Sequence, residues 1–64
     1  MSPLTENILK AQQAMNLAVS DIRQAHKAAI RENDFAEILL LDLISEAVVL
    51  ERRLNQLVIA SNRL

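Results

Sequence analysis

The sequence contains no cysteine, no glycine, no tryptophan and no tyrosine, and only one proline, one phenylalanine and one histidine. Each absence closes a class of structure or chemistry. Without cysteine there is no disulfide framework, no thiolate metal site and no thiol nucleophile, so the usual staples of a very small fold are missing. Without glycine there is no glycine-rich phosphate-cradling loop, because such loops bring bare backbone N–H groups against the ligand. Neither sign of charge dominates: seven Lys and Arg against eight Asp and Glu leave a net charge of -1. That balance, with 23% charged residues, argues against disorder and against a strongly basic nucleic-acid binder. Long hydrophobic runs are absent too. The run 38–41 stops at Asp42, 47–50 stops at Glu51 and 57–60 stops at Ser61, all far short of the roughly 18 residues a membrane span needs. Positions 1–7 hold no basic stretch followed by an apolar one, so no secretory signal is expected and the cytoplasm is the expected compartment.

What is present is helix-forming. Ser2 before Pro3 suits an N-cap and first helical position, because proline lacks the N–H that a first turn leaves unpaired. Ala, Gln, Leu, Lys and Arg then dominate without interruption, which predicts helix 1 over about 3–32. Asn33-Asp34 reads as the turn, and Asp34 with Glu37 three residues on reads as a capping box opening helix 2 over about 35–62. Lys27 and Arg31 near the end of helix 1, and Asp34 and Glu37 at the start of helix 2, oppose the local dipole ends. So short a connection makes the two helices antiparallel neighbours within a single domain.

Residues Ile8, Ala11, Met15, Ala18, Ile22, Ala25 and Ala29 recur at steps of three and four, which is a heptad line. Helix 2 carries a second line: Leu40, Leu43, Ala47, Leu50, Leu54, Leu57, Ser61 and Leu64. Small residues on one line face large ones on the other, an alternation that specifies core layers. Helix 2 is apolar well beyond its line, at Ile38, Leu39, Leu41, Ile44, Val48, Val49, Val58 and Ile59. A helix apolar over most of its circumference has to be surrounded. The expected architecture is therefore all-α: an antiparallel helical hairpin that dimerises with a second copy of itself into a four-helix bundle.

In length, turn position and alternation of small and large core positions, the chain resembles the repressor-of-primer family of plasmid-encoded helical hairpins, which dimerise into four-helix bundles. The resemblance is architectural, spans nearly the whole chain and rests on no shared signature motif. It implies RNA binding through polar residues and an aromatic on the helix 1 face. The matching face here offers Lys10, Gln13, Ser20, Gln24, Lys27 and Arg31, with no aromatic on helix 1.

The residues offer little for catalysis. His26 is the only imidazole, no Glu-x-x-His pairing precedes it, and Asp21 five residues away lies on another face of a helix. A partly covered position flanking the bundle is expected for it. Ser2, Ser20, Ser45 and Ser61 have no histidine at helical contact spacing, and Asp42 with Glu46 reads as a solvated face. The expectation is a non-enzymatic protein with no cofactor and no metal. Two surfaces remain. The apolar one, formed by Ile38, Leu41, Asp42, Ser45, Val48 and Val49, is of the kind that receives a partner's amphipathic helix. The basic one, formed by Lys10, Gln13, Arg23, Gln24, Lys27 and Arg31, is the alternative and would meet RNA phosphates. Hairpins this reduced look like regulators carried by phages, plasmids or secretion systems. The expected function is binding and modulating another protein, concretely as an inhibitor of a transcription regulator, with a structural subunit or chaperone as a further alternative.

Overall fold

A computed structural model describes residues 2–62. Leu64, the last position of the expected helix 2 line, lies outside the described residues. Among those residues there are two α-helices and no strand: α1 is Pro3–Arg31 and α2 is Ala36–Asn62. The helices run antiparallel, since Thr5 near the start of α1 meets Ser61 near the end of α2 through hydroxyls 2.8 Å apart. Further in, Gln12 Nε2 donates to Asn55 Oδ1 at 2.7 Å.

The helix ends follow from local chemistry. Ser2 is extended, and its Oγ accepts the Thr5 N–H at 3.1 Å, so a first-turn donor that α1 would leave orphaned is satisfied. The same hydroxyl donates to Thr5 Oγ1 at 3.0 Å, which links the cap of α1 to Ser61 of α2 through Thr5. At the other end, Glu32 caps α1 and Asn33 enters the left-handed region at φ 53°. The Asn33 N–H bonds the Ile30 carbonyl at 3.1 Å and the Asp34 N–H reaches back to the Ala29 carbonyl at 2.9 Å. This pair of bonds is a Schellman closure, and asparagine is among the few residues other than glycine that tolerate its left-handed position. The expected capping box forms in one half only. Asp34 Oδ1 accepts the Ala36 N–H at 2.9 Å, but the Asp34 N–H that Glu37 would need is already bound to Ala29.

The seam between the helices differs from the expected lines in a regular way. Val19, Ala29 and Ala47 are buried, and Ile8, Gln12, Met15, Ile22 and His26 of α1 are half-buried, as are Leu40, Ile44, Glu51, Leu54 and Val58 of α2. Ile8, Met15, Ile22 and Ala29 thus serve as expected, but Gln12, Val19 and His26 stand between them in place of Ala11 and Ala25, with Ala18 half-buried beside Val19. On α2, Leu40, Ala47 and Leu54 serve, with Ile44, Glu51 and Val58 in place of Leu43, Leu50 and Leu57. Both helices are rotated by about 50°, half the angle between successive residues. The rotation covers Val19 and pairs Gln12 with Asn55, while it leaves Leu43, Leu50 and Leu57 close to half exposed.

The result is a two-helix layer 48 × 15 × 10 Å in extent. Its radius of gyration is 14.7 Å, against about 11 Å for a globular chain of this length. It exposes 4996 Å², where a compact monomer of 7.2 kDa exposes about 4,100 Å².

Two substitutions test these assignments. Asn33→Gly should raise the urea midpoint and Asn33→Val should lower stability by about 1–2 kcal/mol, because only the second pays the full steric cost of the left-handed position. Val19 is only 5% exposed, so Val19→Ala should cost about 1–2 kcal/mol in the same titration. An unchanged midpoint would mean that the seam does not pass through position 19.

Candidate functional site

A two-helix layer has two broad faces, and the rotation of the helices about the seam decides what each presents. On one face, Ser20, Arg23, Gln24, His26 and Lys27 of α1 and Leu41 and Ile44 of α2 line a groove of about 330 Å³. Positions 20, 23, 24 and 27 fall together because steps of three and four return to one side of a helix. Leu41 joins them because it follows the seam residue Leu40 toward that side. Ile44 and His26, both half-buried, form the part of the groove nearest the seam. Apolar and cationic groups therefore stand side by side, with Leu41 54% exposed. An amphipathic segment carrying acidic side chains is what such a surface can hold, its apolar side on Leu41 and Ile44 and its carboxylates on Arg23 and Lys27.

The groove brings together parts of both sequence-derived sets. From the apolar set it takes Leu41, while Ile38, Asp42, Ser45 and Val49 are exposed around the outer side of α2 and Val48 is half-buried beside the seam. From the basic set it takes Arg23, Gln24 and Lys27; Lys10, Gln13 and Arg31 are exposed elsewhere along α1. The Ser45 hydroxyl donates to the Leu41 carbonyl at 3.2 Å, a back-bond within its own helix. Among the described residues, no group of three or more His, Cys, Asp or Glu is placed to hold a metal ion. No helix there is long and apolar enough to cross a membrane.

A second surface holds Ser45 and Val49 of the apolar set, and sequence reasoning missed its other members, Glu46, Leu50 and Arg53. Ser45, Glu46, Val49, Leu50 and Arg53 line a shallow depression of about 470 Å³ on the outer side of α2. Beside it run Leu39, Leu43 and Leu57, all exposed. Leu43, Leu50 and Leu57 were expected in the seam. The steps 39, 43, 46, 50, 53 and 57 are again fours and threes, so the line was visible in the sequence, but its charged members Glu46 and Arg53 concealed it.

Compared with protein-family models, with curated proteins and with solved structures, the chain matches none. The functional reading therefore rests on the two faces of the hairpin.

Proposed function

We propose that this protein is a small non-enzymatic regulator that self-associates into a four-helix bundle and binds another protein, whose activity it modulates. The observation that carries this reading is the amount of apolar side chain that two helices leave uncovered. Among the described residues, eight large apolar side chains of α2 are exposed, Ile38 and Leu39 by more than 60%. Soluble chains rarely leave such contiguous area open unless something binds there. The surface divides between two tasks. A second copy can cover one face, and the groove on the other, with Ile38, Leu41 and Asp42 along its outer side, remains for a partner, while Ser45 and Val49 line the depression around Leu50. The partner fitting that groove is an acidic amphipathic helix or peptide, and a transcription regulator held by a phage or mobile-element protein is the concrete version. The alternative of RNA binding draws on Arg23, Gln24 and Lys27 gathering at one groove. The net charge of -1 and the Leu41 and Ile44 side chains in that groove favour the protein.

The test compares wild type with Ile38→Asp/Leu41→Asp, both immobilised and both confirmed helical by circular dichroism. Wild type should retain a protein partner, and the double variant should lose at least about tenfold in affinity for it, since two apolar contacts become buried carboxylates. Equal retention would remove this face as the partner site. Arg23→Glu/Lys27→Glu should weaken the same partner. If that variant instead abolishes salt-sensitive retention of RNA on filters, the nucleic-acid reading replaces it.

A further inference from the structure

The two heptad lines of the sequence and the seam of the hairpin disagree by about 50° in both helices, and the disagreement has a direction. In a four-helix bundle each helix has two neighbours, roughly a right angle apart, and its core line points between them. The lines through Ala11, Ala18 and Ala25 and through Leu43, Leu50 and Leu57 point between the seam and one broad face. It is the same face for both helices. Ser20, Arg23 and Lys27 share their groove with Leu41 on one side of the seam, and helical handedness places the alanine and leucine lines together on the other. That face carries exposed Leu39, Leu43, Leu50 and Leu57 along α2 and the small residues Ala11, Ala14 and Ala25 along α1, with Ala18 half-buried.

From this we infer that the face is covered by a second copy of the chain, with α2 antiparallel on α2 and α1 antiparallel on α1 about a two-fold axis perpendicular to the helices. The inference rests on the self-association proposed above and specifies its geometry. Area supports it: the surface in excess of a compact monomer, 4996 Å² against about 4,100 Å², matches the roughly 800 Å² each partner contributes to a standard interface. Charge identifies the occupant. Glu46 and Arg53 interrupt the leucine line seven residues apart, both exposed and both at the depression around Leu50. A two-fold axis at the level of Val49 and Leu50 sets Glu46 of each copy beside Arg53 of the other, twice over. A second copy thus answers both charges with the same two residues, as a self-complementary two-fold contact does.

Charge also selects this axis over the competing one. A two-fold axis parallel to the helices would lay α2 on α1 of the second copy at unchanged height. The Thr5–Ser61 and Gln12–Asn55 bonds fix those heights and put Asp21 level with Glu46. Two carboxylates would then meet in each of the two contacts between α2 and the second copy's α1, and Arg53 would face alanine. With the perpendicular axis at Val49 and Leu50, the α1 helices cross near Ala14 and Ala18, where small side chains permit close approach.

Sedimentation velocity on the full chain and its charge variants tests the geometry. Wild type should be dimeric. Glu46→Arg and Arg53→Glu alone should each weaken the dimer by about tenfold at low salt, since each turns two attractions into two repulsions. An equimolar mixture of the two single variants should regain wild-type affinity as a heterodimer, and high salt should shrink all these differences. A wild type that stays monomeric at about 100 μM, far above a micromolar dissociation constant, would overturn the self-association reading itself. A dimer that Glu46→Arg strengthens would establish the parallel axis. A dimer indifferent to both substitutions would place the contact on another face. Either result overturns this inference while leaving self-association intact.

Discussion

A helix can be shielded by a single neighbour over only part of its circumference, and that constraint governs this molecule. A hairpin supplies each helix with one neighbour. For α1 this is nearly enough, because the outward side is polar or alanine except at Leu17 and near its ends. For α2 it is not enough, and the apolar arc extends past the seam on both sides, through Leu39, Leu43, Leu50 and Leu57 on one flank and Ile38, Leu41 and Ile59 on the other. The fold is settled by α1 and its turn, while the surplus on α2 is left to the surroundings.

Polar residues, rather than apolar ones, hold the register of the pair. Leucine and alanine layers would accept a slip of one turn with little loss, because the next layer resembles the last. The Thr5–Ser61 and Gln12–Asn55 bonds would not, since each polar group would then meet a side chain unable to answer it. They sit in the half of the hairpin remote from the turn, where the Schellman closure has least authority over alignment. Glu51 is half-buried in the seam, and among the described residues no buried side-chain polar atom lacks a partner.

The two-helix, all-α architecture was legible in the sequence because unbroken helix formers and a single Asn-Asp break leave few alternatives. Half of the seam was legible as well: Ile8, Met15, Ile22 and Ala29, and Leu40, Ala47 and Leu54. The other half was not, because two heptad lines share those positions on each helix and hydropathy favours the wrong one. Leu43, Leu50 and Leu57 outscore Ile44, Glu51 and Val58, and only the choice of neighbour decides between them. The outward placement of Ile38 and Leu41 could be read from spacing. Their proximity to Arg23 and Lys27 could not, since it depends on how far both helices turn about the seam. The capping box at Asp34 failed for a related reason: sequence spacing does not reveal that the preceding helix has first claim on the same N–H.

The turn at Asn33 also orders the assembly of the chain in time. It leaves only the four residues 32–35 between α1 and α2, so the first layer closes at small entropic cost, and each later layer adds beside one already formed. Formation therefore proceeds from the turn toward the termini, and the Ser2, Thr5 and Ser61 hydroxyl chain is the final fastening. Opening runs in reverse. By that order the Thr5–Ser61 end is where the helices first part, and the layer at buried Ala29 beside the turn is the last to open.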